Sequence, residues 1–463
     1  MTTTRSASGV VNIDNAVLGV LGKEGLTTSI DLFGTQILLS TVIVQNLYNP
    51  NIEMSMTISE GKGHLTSFNQ KGLQGQEFVA FKATKPGLED PTGKPAPTEV
   101  DLQFWCRSVE DISFGDKGDT QTYQLNCLTK ESILNAFSSV NQSYSTSYSN
   151  TANSIFVSHI QKNSIAKKYF KDYGDINLET RSFDTHDSKL VNDFVIPGLK
   201  PFNAIDMCAR RSFIPSSFAN LWTFYQDFDG YHFYNIEQLI KDGKEKADKD
   251  PENFVLEYNV IQDKESSSRI DRQVHKISGV EGSDTYLNSG TGTFKNTVRS
   301  IDIIGQTYTD TAFNYNEKFG KFEHLGGAEA APLADKFWVK EFTQSNYEHL
   351  YIKDTSKQNQ YFEQVLGHRL PYFISLNNLK CEVTTDADLF WKPGQVVVLS
   401  IQEMTGFNNK SLEEHKFAGY WLIENVTHII NSAEAVSVLS LVKDSTSNVV
   451  GSGEPTGDIG GTL

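Results

Sequence analysis

At 463 residues the chain is longer than one hydrophobic core usually supports, so about two to four domains are expected. Apolar residues at 38% and charged residues at 21% exclude a disordered or collagen-like chain, and 11% aromatics favour broad packed β surfaces. With 41 Lys and Arg against 57 Asp and Glu, the net charge of −16 argues against a role that neutralises nucleic-acid phosphates.

The opening residues, Met1 to Gly9, lack the basic-then-apolar order of a secretory signal. The longest apolar run, Ile37 to Val44 with Ser40 and Thr41 inside it, is too short to span a bilayer. Cytoplasmic assembly without membrane insertion is the expectation. Cys106, Cys127, Cys208 and Cys381 show neither a CxxC motif nor paired spacing, which fits buried thiols. Cys106 and Cys127 fall on the inward phase of predicted strands, where core packing is expected.

Residues 1–24 read as an N-terminal arm and 25–128 as a first β domain. Ile52, Met54, Met56 and Ile58 alternate with polar neighbours, as do Val100, Leu102, Phe104 and Cys106, and Tyr123, Leu125 and Cys127 continue the pattern. Residues 86–97 (PGLEDPTGKPAP) read as a long exposed loop. From 129 to 213 a helical or mixed connecting domain is predicted. It starts with a helix capped by Thr129 whose stripe is Ile133, Phe137 and Val140, followed by a polar linker over 141–153. A second helical segment around Ile155, Phe156 and Ile160 follows, then a helix from Pro201 burying Phe202, Ile205, Cys208 and Ala209.

A hairpin turning at Asp229-Gly230 is predicted between aromatic strands, and residues 214–240 with 370–443 form a second, discontinuous β domain. The intervening 241–369 reads as an inserted domain. It opens on the solvated charge run 241–253, continues with weak strands at 297–308 and 319–322, and has a helical look over 346–366. After a turn at Lys392-Pro393-Gly394, strands at 395–401, 420–428 and 435–442 join one at 380–383 in a small barrel or sandwich. Residues 444–463 are rich in Gly and Ser and are expected to be flexible unless a partner holds them. The fold class is therefore mainly β with short helices: two antiparallel barrel or sandwich domains, a helical linker region and an insertion.

Catalytic patterns fail on spacing. Gly290-Thr291-Gly292 lacks the third glycine and the strand-turn-helix setting of a dinucleotide site. Asp227 and Asp229 with Gly230 lack the ligands of a calcium loop. No HExxH, GxSxG or phosphate loop occurs. Glu413 with Glu414, or Asp386 with Asp388, are read as solvent-facing charges and not as a glycosidase pair. No catalytic, cofactor or metal residue is assigned.

Three stretches carry a resemblance. Ser29 to Glu77 places a strand and loop before an alternating strand and a Gly-Gln-Glu turn. Pro201 to Ile240 follows a helix with an aromatic hairpin and a short helix. Trp391 to Lys443 has a Pro-Gly turn, a strand leaving Gly419 and a final hairpin. In this order the chain resembles the central baseplate hub proteins of contractile-tailed bacteriophages, relatives of the hub part of type VI secretion spikes. The resemblance implies two tube-type β domains per chain and a homotrimer presenting six units to a tail tube protein. It also implies a central spike protein and wedge proteins as partners, and a lumen passing viral DNA or a tape measure protein. The alternatives are a tail-tip cell-wall hydrolase and a receptor-binding β protein. The 86–97 loop, the 241–253 run and the C-terminal tail have no counterpart in that family pattern.

Overall fold

Strict alternation of apolar and polar residues gives each early strand one wet and one dry face, and the dry faces must find a common interior. The computed structural model describes residues 11–446 apart from 23–24, 62, 64, 66–67, 69–71, 86–97, 116–118, 165–180, 190, 259–271, 283, 327–330, 333–347, 353–361, 402–416 and 432–433. The chain is mainly β and multi-domain.

Strands β1 (Asn12–Gly22), β2 (Gly25–Asp31), β3 (Leu38–Asn46), β4 (Glu53–Glu60), β5 (Phe78–Lys85), β6 (Thr98–Phe114) and β7 (Gln121–Thr129) pair antiparallel in the order β3-β4-β7-β6-β5-β1-β2. Ala16, Leu18, Ile43, Met54, Met56, Ile58, Phe81, Leu102 and Phe104 meet in a single core, so the sheet curls on itself. Residues 32–38 close it: Leu32 N donates to Ala16 O at 2.8 Å, and Ser59 N donates to Ile37 O at 2.8 Å. The expected N-terminal arm is corrected here, because β1 runs through this barrel with Ala16 and Leu18 fully buried. Its apolar residues do not alternate with polar ones, because Val17 stands between Ala16 and Leu18 and the register shifts between Ile13 and Asn15.

The segment after β7 is more regular than its composition suggests. The stretch expected as a linker is β8 (Val140–Ser147) followed by a helix, Tyr148–Phe156, that runs into a π turn. Ser147 caps that helix by accepting from Asn150 N at 3.4 Å. Of the stripe predicted for the first helix, Phe137 is exposed and Val140 stands in β8, so a helix lies only over Glu131–Phe137. Its N-cap is Lys130, and Thr129 instead donates to Gln226 Oε1 at 2.7 Å. Strands β9 (Ser182–Thr185) and β10 (Val191–Leu199) follow, β10 pairing with β8. The helix Pro201–Arg211 buries Phe202, Ile205, Cys208 and Ala209. β11 (Trp222–Gln226) and β12 (Gly230–Asn235) form the aromatic hairpin. Phe156, Phe202, Phe224 and Tyr231 fill this unit's core, with the Phe156 and Tyr231 rings 4.8 Å apart.

The hairpin does not belong to the closing barrel. It forms a three-stranded sheet with β9, because its inward aromatics are taken by the helices on either side. The closing barrel draws instead on β13 (Val255–Tyr258) and β14 (Val274–Glu281), from the stretch expected as an insertion. Between β14 and the barrel's later strands come β15 (Lys295–Asp302), β16 (Thr307–Asn314), β17 (Ala331–Pro332) and β18 (Glu348–Ile352). After the helix Phe362–Leu376 come β19 (Leu379–Asp386), β20 (Val396–Ile401), β21 (Gly419–Asn431), β22 (Ala435–Lys443) and β23 (Ser445–Thr446). The order β14-β19-β22-β21-β20-β13 is closed by a bridge between Glu257 and Gln273, giving a ring around Trp391, Trp421, Leu399 and Leu441.

Other expectations within 241–369 also change. The charge run is mostly helix, Ile236–Lys249, whose Ala247 is buried and whose Gly243 lies so close to Val396 that a Cβ would overlap it. The residues near 319–322 form a tight helical turn, and β18 occupies the start of the expected helix over 346–366. Residues 86–97, Glu413, Glu414 and 447–463 lie outside the described residues, while Ser445–Thr446 pair with β17.

A buried ion pair fastens the segment around His324 to the end of the barrel. His324 Nδ1 meets the carboxylate of Asp444, and His324 Nε2 donates to Phe319 O at 2.6 Å. Asp444 also accepts from Leu325 N at 3.0 Å and Ser445 Oγ at 2.9 Å. Burial opposes charge on both, yet the hydrogen bond and the opposite charge win, holding His324 above and Asp444 below their ordinary values. The histidine's contribution is thus present below its ordinary pKa and is lost as pH rises through the raised one. The aspartate's is present above its ordinary pKa and is lost as pH falls through the lowered one. His324→Ala strands a buried carboxylate and is expected to cost about 3–5 kcal/mol in denaturant unfolding. An unchanged midpoint would show that the pair does not anchor this segment.

Candidate functional site

The two barrels meet at a seam. β21 is 13 residues long and serves both. Gly419 to Leu422 pair with β20, the ladder to β22 is irregular between Ile423 and Asn425, and Asn425 to Asn431 pair antiparallel with β3 of the first barrel. At the changeover Glu424 O accepts from Leu47 N at 2.9 Å. The two cores are thereby joined by one 13-stranded sheet.

Polar groups line the inner side of that seam. Gln45 and His428 occupy inward positions of β3 and β21, and their side chains meet at 3.3 Å. His428 Nδ1 lies 2.9 Å from Ser437 Oγ of β22, and Phe228 stacks on its ring. Burial pushes the imidazole down to about 4, with the Asp388 carboxylate raising it and the Lys85 ammonium lowering it by smaller amounts. Asp388, expected at the surface, is buried. Arg272 binds it at 2.9 Å from within the second barrel, and Lys85 reaches it at 3.4 Å from the first. The Arg272 guanidinium also lies over the Trp391 ring, 4.4 Å from its centroid. Asp386 pairs with His275 at 2.7 Å.

The aromatic hairpin wedges into the same place. Gln226 Oε1 accepts from Ile52 N at 3.2 Å and from Thr129 Oγ1, both of the first barrel. Thr223 Oγ1 donates to Leu47 O, and Phe228 enters the first barrel's core. In the turn, Asp227 accepts from Asp229 N at 2.8 Å and Gly230 N at 3.1 Å and faces His232 Nε2 at 2.8 Å. Burial works against its charge, and His232 with these donors keeps its pKa low. Gly230 is needed because a Cβ there would stand 2.7 Å from Ser182 O of β9.

The two turns singled out in the sequence, Asp229-Gly230 and Pro393-Gly394, are brought together. Lys392 pairs with Asp229, and Gly394, at a φ of +84°, sits where a Cβ would lie 2.9 Å from both Tyr225 Oη and Leu239 Cδ2. The seam residues Gln45, Lys85, Arg272, Asp388 and His428 were not found by sequence reasoning. The available signal was a polar residue on an inward phase, as at Gln45 after Thr41 and Ile43.

Apolar side chains stand exposed at the rims: Phe33 and Leu39 beside the 32–38 closure, Ile112 and Phe114 on the β6–β7 arm, and Ile303, Ile304 and Tyr308 at the β15–β16 turn. Isolated exposed apolar residues are ordinary, but the last two groups cluster on the β6–β7 and β15–β16 hairpins, where exposed apolar surface can meet another chain. Among the described residues no three His, Cys, Asp or Glu side chains are grouped as metal ligands would be. No described helix is long and apolar enough to cross a membrane.

No protein-family model and no curated protein matches the chain. Solved structures similar to it include the 43 kDa tail protein of prophage MuSo2 from Shewanella oneidensis, at 10% identity over 93% of this chain and 98% of that one, TM-score 0.47. The tail protein from Neisseria meningitidis MC58 is similar at 11% identity over 93% and 96%, TM-score 0.48. A Francisella PdpA-VgrG complex is similar at 9% identity over 95% of this chain and 59% of that one, TM-score 0.44.

The buried histidine makes the seam acid-sensitive. An imidazole held at about 4 resists protonation that the unfolded chain accepts at its ordinary value, so stability falls as pH drops from about 6.5 towards 4. Between pH 7 and pH 4 the native chain is expected to lose on the order of 3 kcal/mol more than His428→Gln, by urea unfolding at each pH. His368, likewise pushed down to about 4 by burial, leaves a residual slope in the variant. Parallel pH profiles for the two proteins would remove His428 as the cause.

Proposed function

We propose that the chain is the structural hub of a contractile phage tail baseplate. In this reading it is a homotrimeric adapter between a six-fold tail tube and a three-fold central spike, without enzymatic activity of its own. The observation that carries the reading is the pair of β barrels locked side by side through β3 and β21. A threefold assembly matches a sixfold one when each chain supplies two ring-building units in a fixed relative orientation. Closed rings then form from repeated contacts of the same kind.

The same reading gives the other features a place. The tail tube protein would meet one end of the barrels, and the spike and wedge proteins would meet the projecting hairpins. DNA or a tape measure protein would pass through the lumen, where a share of the −16 net charge would prevent phosphates from sticking. Localisation to the virion tail after assembly in the host cytoplasm follows.

The test is mass in solution. Sedimentation of the purified protein is expected to give a species of three 51.7 kDa chains, alone or with the mass of the spike added once the spike is present. A strictly monomeric chain in the presence of the spike overturns the proposal.

A further inference from the structure

β6 and β7 set Cys106 and Cys127 directly opposite each other, with both thiols inside the first barrel's core. The pair is of the non-hydrogen-bonded kind. Cys106 N donates to Glu77 O at 2.7 Å, so its backbone faces away from β7. Thr129 N, on the same phase of β7 as Cys127, donates to Ile52 O at 3.3 Å, so that phase faces away from β6. Opposed residues of this kind hold their Cα atoms about 4.5 Å apart, within the roughly 4.4–6.8 Å across which a disulfide closes. Cys208 and Cys381 lie in other cores, so neither competes.

We propose that Cys106 and Cys127 are an oxidisable dithiol, closed to a cross-strand disulfide by a small-molecule disulfide such as oxidised glutathione. One cysteine thiolate attacks a sulfur of the oxidant, forming a mixed disulfide and releasing one glutathione thiolate. The second cysteine, losing its proton to solvent, attacks the protein sulfur of that mixed disulfide and releases the second glutathione thiolate. Two thiols are oxidised and one disulfide is reduced, with no further reactant.

Reactivity is gated by the fold. Its hydrogen bond to the Cys106 sulfur, together with burial, holds the Cys127 thiol well above the usual range, so the closed barrel presents little Cys127 thiolate. The gate lies next to the pair. β5 covers β6 only from Thr98 to Trp105, one further bond ties Cys106 N to Glu77 O, and from Ser108 onward β6 has ladder pairs with β7 alone, with irregularities between Cys106 and Ser108 and between Glu110 and Ser113. Fraying of this arm exposes the dithiol without unfolding the barrel, and the bridge, once formed, staples the arm's base. The inference does not depend on the role proposed above.

The experiment uses the full chain, held with oxidised glutathione at about pH 8, where thiolate begins to form. It is quenched in acid, unfolded in denaturant with an alkylating reagent and mapped by mass spectrometry. The expected result is two alkylated cysteines per chain, Cys208 and Cys381, and one cross-linked peptide pair joining Cys106 to Cys127. Cys106→Ser and Cys127→Ser chains are expected to give no cross-link. The native-chain measurement stands even if those variants fail to fold. Four alkylated cysteines after amide exchange shows that the β6–β7 arm has opened would overturn the inference. So would a bridge to Cys208 or Cys381, or a glutathione adduct that never resolves.

Discussion

A single strand cannot belong to two barrels unless its hydrogen-bonding edge changes partner part-way, and this molecule is built around that change in β21. Up to Leu422 the strand completes the second ring, and from Asn425 it pairs with β3 of the first. The irregularity between Ile423 and Asn425 permits the change, since an extra residue bends a strand and increases its twist. Register is then fixed for both barrels at once. A slip of one residue would turn Val426, His428 and Ile430 out of the interior and bring Thr427 and Ile429 in.

The polar lining of the seam follows from this constraint. Gln45, His428 and the Lys85–Asp388–Arg272 group are buried where apolar residues would pack at less desolvation cost. Their physical effect is selective. In the native register Gln45 Nε2 and Ser437 Oγ meet the two ring nitrogens of His428, and Asp388 finds a cation from each barrel. In a register shifted by two residues, which keeps the same faces inward, Gln45 and His428 would be buried without these partners, a penalty on the order of several kcal/mol that apolar residues would not impose. Edge strands with apolar faces pair promiscuously, and a polar seam restricts β3 to one partner.

What was legible in the sequence were patterns that one strand or one turn carries by itself. Met54, Met56 and Ile58 alternate cleanly, and Asp229-Gly230 stands between two aromatic runs. What was hidden depends on distant chain. The apolar residues of β1 do not alternate with polar ones, and β8 is so polar that only its pairing with β10 identifies it as a strand. Lys244 lies on a helix whose charged face met the rule for a solvated run, yet it binds Glu323 and His324 O at the insertion. β13 and β14 complete the second ring through a parallel pairing with β20 and an antiparallel one with β19, both far away in sequence. The seam itself was invisible for the same reason. Gln45 and His428 are 383 positions apart and reveal their roles only as inward polar residues on two unremarkable strands.

The aromatic hairpin turns a hinge into a rigid pair. Two barrels sharing one ladder would still rock about it, because a single line of backbone hydrogen bonds fixes position along the strand better than the angle across it. The hairpin supplies contacts off that line. Gln226 and Thr223 bind the first barrel, Lys392 and Gly394 bring the second against Asp229 and Tyr225, and Phe228 lies between on His428. Three points not in line define an orientation. An orientation fixed within the chain need not be selected again when chains associate, and each interface then costs less conformational freedom. Large assemblies gain most from that saving, because every repeated contact inherits the same preorganised geometry. In the proposed trimer, the stiffness of the hairpin contacts would bear on ring closure as directly as any surface residue.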